Sequence, residues 1–397
     1  LGGKFKQILN DRAVDFPYLC PQTKKDEMKA LLFLLPTLCI GACAPKVAAP
    51  HNDELTLLVG TYTYGTSKGI YSFCFNQQTG ESEPLDSVAL TNPSFLTVSD
   101  DRQRVYAVSE TNDSTAALHT LALNPEDGSL RLLNKQLTQG TDPCHVAVNP
   151  NMVLTANYSG GSLSVFPLRE DGTAAPVDTL FHGQATGPDT VRQNEPHVHC
   201  SAFSPDGKSV FVTDFSADRI LQFAVTPNGL IAHSTNPAIP VKPDTGPRHI
   251  TFAPDGKHAY VIGELSGEVT AFAYADGQLD TVQTIAADTT HARGSADIHV
   301  SPDGKFLYAS NRLKEDGIAI FAVHPQDGKL TQVGYQHTGL HPRHFNITPN
   351  GKYLLAACRD SHVIQVFERD QQTGLLEDTG KDIRMDQPVC IVFVNKH

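Results

Sequence analysis

The sequence predicts an all-β chain, a seven-bladed β-propeller with one blade closed by both chain termini. Three observations lead there. Short turns recur at near-constant spacing, matching strand patterns flank each turn, and the two chain ends complement one another. The turns read SPDGK at 204–208, APDGK at 253–257, SPDGK at 301–305 and TPNGK at 348–352, so Pro205, Pro254, Pro302 and Pro349 step by 49, 48 and 47 residues. Proline presets φ and glycine accepts a positive φ, which makes this tetrapeptide an economical link between antiparallel strands. A fixed period of this length marks a repeat architecture.

Each turn follows an alternating strand (PHVHCSAF, GPRHITFA, ADIHVS, HPRHFNIT) and precedes a more continuous apolar one (SVFVTDF, HAYVIGEL, FLYASNR, YLLAACR). A third strand comes next: RILQFAV, EVTAFAY, GIAIFAV and VIQVFER. Period-two alternation and β-branched content read as sheet, not helix. Two weaker copies lie upstream, PSFLTVS–VYAVSE–ALHTLAL and PCHVAVN–VLTANYS–SLSVFPL. The seventh copy is divided: PVCIVFVN at 388–395 supplies its first strand, and TLLVGTY and GIYSFCF supply its second and third. Closing a ring this way hides sheet edges, whereas a solenoid would end in capping repeats.

Composition narrows the function classes. The 30 Gly, 26 Pro and absent Trp suit many short strands. A net charge of −12 argues against nucleic acid as a partner. The 8 cysteines form no CxxC pair, so neither a zinc site nor a disulfide framework is indicated, and Cys74, Cys144 and Cys358 read as buried thiols. Residues 28–43, MKALLFLLPTLCIGAC, have the order of a secretory signal, with an apolar run too short to span a membrane; an ordinary buried helix or strand is the other reading. Ile40-Gly41-Ala42-Cys43 resembles the lipobox of bacterial lipoproteins, which implies lipidation of Cys43 and a place in the cell envelope, anchored on the periplasmic side. A cytoplasmic location is the alternative. Residues 1–27 are then an unstructured upstream extension, 44–53 a tether and 54–397 the propeller domain.

Polar residues fall at equivalent places in the repeats. His199, Arg248 and Arg343 each stand six residues before a turn proline. The ends of second strands carry Glu110, Tyr158, Glu264, Arg312 and Arg359, with Tyr62 from the divided blade and Phe215 in the third; Asp214 is one step earlier. In a propeller these two sets meet at one mouth of the central channel, so they predict a site for a small anion. Arginine and glutamate at such junctions also form purely structural ion pairs. The HVH run placing His197 and His199 two residues apart lacks a third ligand, so no metal and no other cofactor is expected.

The stretches GTYT at 60–63, NPSFL at 92–96, ANYSGGS at 156–162, RQNEPHVH at 192–199, GPRH at 246–249, GEL at 263–265, SNR at 310–312, HPRHF at 341–345 and PVC at 388–390 resemble the lactonase family of seven-bladed propellers. That family includes cycloisomerase-type 6-phosphogluconolactonases and carboxy-muconate lactonizing enzymes. The resemblance implies hydrolysis of a phosphorylated sugar lactone, with His199, Arg248, Glu264 and Arg312 as the catalytic group. DFSAD at 214–218 departs from the family's usual run there. In lactone hydrolysis Glu264 or His199 would be the base, and Arg248 with Arg312 would hold the carbonyl oxygen. Arg343, with His249 or His344, would grip the anionic tail. Glu110, Tyr158, His197, Asp214 and Arg359 complete the expected substrate contacts. No G-x-S-x-G run is present, which disfavours an acyl-enzyme. A muconate-type cycloisomerase and a non-catalytic binding propeller are the alternatives.

Overall fold

A computed structural model describes residues 53–396, apart from 184, 228 and 233–237. The segments at 1–27 and 28–43, with Cys43, and nearly all of the tether lie outside the described residues. Seven antiparallel sheets form the ring, numbered here by the order of their innermost strands. Those strands are Leu96–Val98, Pro143–Val148, Val198–Phe203, Pro247–Phe252, Ile298–Val300, Pro342–Ile347 and Pro388–Asn395. Each of the first six pairs with the next strand in the chain. In blade seven Pro388–Asn395 pairs instead with Glu54–Thr61, from Leu55 opposite Asn395 to Thr61 opposite Pro388. Gly69–Asn76 and Ser82–Ala89 complete that blade. Among the described residues no helix is long and apolar enough to cross a membrane.

The turns close as their residues dictate. Gly207, Gly256, Gly304 and Gly351 have φ of 68°, 66°, 71° and 72°, the left-handed region that favours glycine. The Asp or Asn before each glycine accepts the backbone N–H of the following lysine, for example Lys257 to Asp255 at 2.8 Å.

Second strands such as Ser209–Asp214, His258–Gly263 and Tyr353–Cys358 are buried along their whole length. Both faces pack against neighbouring blades, which is why they read as continuous apolar runs. Seven hydrophobic clusters fill the seven blade interfaces. Between blades four and five, for instance, Tyr260, Ile262 and Val269 meet Leu307, Ala309 and Phe321. Between blades six and seven, Leu355 and Val366 meet Leu57, Val59 and Ile391. Outer strands differ. Gln278–Ala286 and Leu330–His337 alternate with solvent, and in blades three and six the outer strand is divided, with Ala238–Pro240 and Ile383–Arg384 pairing separately.

Candidate active site

One irregularity, repeated four times, builds the site. The innermost strands of blades two, three, four and six each begin with a break in register. Pro143 faces Asn157 and His145 faces Ala156, so Cys144 has no cross-strand partner. By the same displacement His199, Arg248 and Arg343 are the unpaired residues of their blades. A bulge of this kind re-aims one side chain, here toward the channel mouth. A second ring comes from the residues that follow the second strands. The backbone N–H groups of Tyr62, Glu110, Tyr158, Phe215, Glu264 and Arg359 each donate to a carbonyl of the loop entering a first strand, at 2.8–3.1 Å.

The two rings enclose a cavity of about 280 Å³ lined by Glu110, Cys144, Tyr158, Arg192, His199, Glu264 and Arg343. A second cavity, about 440 Å³, adjoins it through Glu110 and is lined by Tyr62, Tyr64, Arg359, Asp360 and Gln387. Another, of about 460 Å³, lies between the turns of blades one and two and carries no histidine or glutamate pair.

Glu264 is the hub. Arg192 Nη2 donates to its Oε1 at 2.6 Å, Arg248 Nε to its Oε2 at 3.0 Å, and Arg312 Nη2 lies 3.3 Å from Oε1. Burial alone would raise the proton affinity of this carboxyl, but Arg312, Arg248 and Arg192 outweigh it and hold the pKa at about 2. Such a carboxylate is a poor base. Arg343 lies 3.7 Å from Glu110, which also accepts from the Tyr62 hydroxyl at 2.9 Å. Four guanidinium groups and two carboxylates thus gather around the site, of which Arg192, Arg343, Glu110 and Glu264 line the cavity.

His199 is placed differently from the other polar groups. It lines the cavity, and its Nδ1 is buried with no hydrogen-bond partner. Burial, with Arg248 and His249 nearby, keeps the ring neutral by pushing its pKa well below the ordinary value. Cys144 directs its thiol to the His199 carbonyl at 3.4 Å, and burial raises that thiol well above the usual range. It is therefore no nucleophile.

The structure relocates several expected contacts. Arg248 and Arg312 stand behind Glu264 and do not line the cavity. Their remaining donors go to Ala296 O and His249, and to Gly294 O and His341. His249 and His344 follow the bulged residues and point along the channel axis to Asp297. Asp214 is fully buried and pairs with Arg219, its cross-strand neighbour, at 2.9 Å. His197 is a prop: its ring stacks on Tyr158 at 4.1 Å and its Nδ1 donates to Tyr158 O. Arg359 lies in the adjoining cavity, tied to Asp360. Two lining residues lay beyond the sequence reading. Cys144 precedes Pro150 by six residues, the same offset that picks out His199. Arg192 stands within the RQNEPHVH stretch but on a loop, outside any strand register.

Asp297, His299 and His344 bring ligand-type atoms within 4.8 Å of one another. His344 Nδ1 accepts the Ile391 N–H, so its proton is on Nε2 and faces Asp297. Asp297 also accepts from His249 Nδ1 at 2.8 Å and His299 Nε2 at 2.9 Å. That donor pattern suits a carboxylate holding protonated nitrogens better than a cation needing lone pairs.

Fold and site together define a seven-bladed β-propeller with a small cavity of paired arginines and glutamates at a channel mouth. The chain belongs to the lactonase family of seven-bladed β-propellers, whose model matches residues 56–393. It is 36% identical over 349 residues to the 6-phosphogluconolactonase of Bacillus subtilis, covering 85% of this chain and 98% of that one. A crystal structure from Bacteroides uniformis, provisionally named a 6-phosphogluconolactonase, is 66% identical with a TM-score of 0.85 and covers 86% of this chain and 100% of its own. The periplasmic gluconolactonase of Pseudomonas aeruginosa is 32% identical, TM-score 0.82, with 86% and 99% coverage.

The Glu264 cage predicts a pH-dependent cost of its removal. Its pKa falls from 4.5 to about 2 on folding, so its contribution is present above pH 4.5 and is lost as pH drops through 2. Glu264→Gln should destabilise the protein by about 3 kcal/mol at pH 7, with the difference from wild type shrinking below pH 4.5. Urea unfolding of both proteins between pH 3 and pH 7 checks this; a constant difference across that range contradicts it.

Proposed function

We propose that the protein hydrolyses a phosphorylated sugar lactone, 6-phosphogluconolactone to 6-phosphogluconate, by activating water without a metal. The observation that carries this reading is a cavity where Arg192 and Arg343 stand beside a neutral histidine whose Nδ1 has no hydrogen-bond partner, with Arg248 and Arg312 held just behind Glu264. A phosphomonoester carries close to two negative charges at neutral pH, and a lactone carbonyl develops a third during attack. The relatives named 6-phosphogluconolactonase support the same substrate class.

His199 takes a proton from water as its oxygen adds to the lactone carbonyl. Arg343, facing the cavity, stabilises the tetrahedral oxyanion. As the ring C–O bond breaks, the imidazolium returns the proton to the departing ring oxygen. Glu264 remains ionised throughout as the anchor of the arginines. Tyr158, steadied by His197, forms the wall beside His199. The gluconolactonase relative favours one second reading, an unphosphorylated lactone as substrate.

The expected location is the cell envelope, through lipidation of Cys43, and the periplasmic relative supports that compartment. Expression in a bacterial host with labelled fatty acid should label the wild-type protein and leave Cys43→Ser unlabelled. A wild-type product without label contradicts the anchor.

Turnover of 6-phosphogluconolactone, corrected for spontaneous opening, tests the activity itself. His199→Asn should lower kcat by about 10²–10⁴-fold, and a chelator should leave the wild-type rate unaltered. Wild-type turnover by the His199 variant removes the base; loss of activity on chelation removes the metal-free mechanism.

A further inference from the structure

We propose that Arg192 is a phosphate-selecting gate, which releases Glu264 and takes hold of the substrate's phosphate when substrate enters. The inference rests on the hydrolase reading above and assigns to this residue the choice between phosphorylated and plain lactones.

The three arginines on Glu264 are not equivalent. The side chains of Arg248 and Arg312 are 2% and 6% exposed and are tied to backbone carbonyls and histidines. Arg192 is 36% exposed and binds no carbonyl. Besides Glu264 it has the face of Phe215, 5.6 Å away, and the Tyr158 hydroxyl. It can swing without stripping a buried group of its partner, because Glu264 keeps Arg248 and Arg312. A guanidinium fork fits phosphate as well as carboxylate, and a dianion competes strongly for it.

Its backbone, in contrast, is fastened on both sides. The Asp189 carboxylate accepts the N–H groups of Val191 and Arg192, each at 2.9 Å, and binds Arg293 at 2.5 Å. Arg293 also holds Asp244 at 2.7 Å. On the other side Gln193, fully buried, donates to Phe215 O and Asp218, both at 2.9 Å. A loop anchored across blades three to five thus carries one half-exposed cationic side chain at the mouth of the cavity that the more buried His199 and Arg343 also line. Substrate would enter carbonyl first and leave its phosphate beside Arg192. Once Arg192 moves, Glu264 Oε1 keeps Arg312 at 3.3 Å and gains room to accept a sugar hydroxyl as well.

The test uses stable products as probes. Binding of 6-phosphogluconate and of gluconate is measured by calorimetry for wild type, Arg192→Ala and Arg192→Lys, alongside kcat/KM for the two lactones. Arg192→Ala should weaken 6-phosphogluconate about 10- to 100-fold and gluconate far less, with lysine intermediate. The preference for the phosphorylated lactone should fall by a similar factor. Arg293→Ala, which touches no cavity residue, should cause a smaller loss with the same selectivity. Equal weakening of both ligands, or none, overturns the gate. If wild type turns over neither lactone yet binds 6-phosphogluconate through Arg192, the hydrolase reading falls and the gate stands. If wild type hydrolyses the phosphorylated lactone and Arg192→Ala keeps the full preference, the reverse holds.

Discussion

The contact of Glu264 with three arginines is the interaction on which the active face depends. It joins the loop after blade two, through Arg192, to blade four, through Arg248 and Glu264, and to blade five, through Arg312. A buried carboxylate is costly to desolvate, and it is tolerable here because three guanidinium groups surround it. The same cage decides the chemistry. By stabilising the anion so strongly it makes Glu264 a poor base in the free protein, and the proposed base is His199, the one imidazole that lines the same cavity. The gathering of four arginines around the cavity then follows from geometry, although the chain as a whole carries −12. A local field of this kind draws a small anion to one mouth of the channel.

The scaffold supplies position by repetition and function by variation. Four blades use the same bulge at the start of the innermost strand, and three residue types occupy it: a thiol, an imidazole and two guanidiniums. Symmetry fixes where the side chains go, while sequence decides what arrives. Below them the Asp297 cluster acts as a floor. It sets the His249 proton on Nδ1, so that Nε2 accepts from Arg248 and the guanidinium is held in line with Glu264.

Much of this was legible in the sequence for definable reasons. Turn chemistry and buried second strands gave the blades, because both depend on local residue type. The complementary ends gave the closure. Outer strands such as Leu330–His337 carried little signal, since they alternate with solvent and tolerate polar residues. Counting from turn prolines found His199, Arg248 and Arg343, yet counting cannot tell which neighbours share their direction. His249 and His344 are one residue further on, and past the bulge that single step aims them along the axis. Asp214 is the last residue of its strand and meets Arg219 across the ladder rather than the cavity. Arg192 carries no mark of that kind: its place depends on Asp189 and Gln193 beside it and on their contacts with Arg293 and Phe215, which no repeat encodes.

The central claim is that one cavity orients the ligand, carbonyl end toward His199 and Arg343 and phosphate toward the mouth. A crystal structure of the protein with 6-phosphogluconate tests it most directly. The account predicts the product carboxylate within hydrogen-bonding distance of His199 and Arg343, and the phosphate on Arg192 with the Arg192–Glu264 contact broken. A phosphate buried against His199, or a ligand held instead in the cavity between the turns of blades one and two, would contradict it.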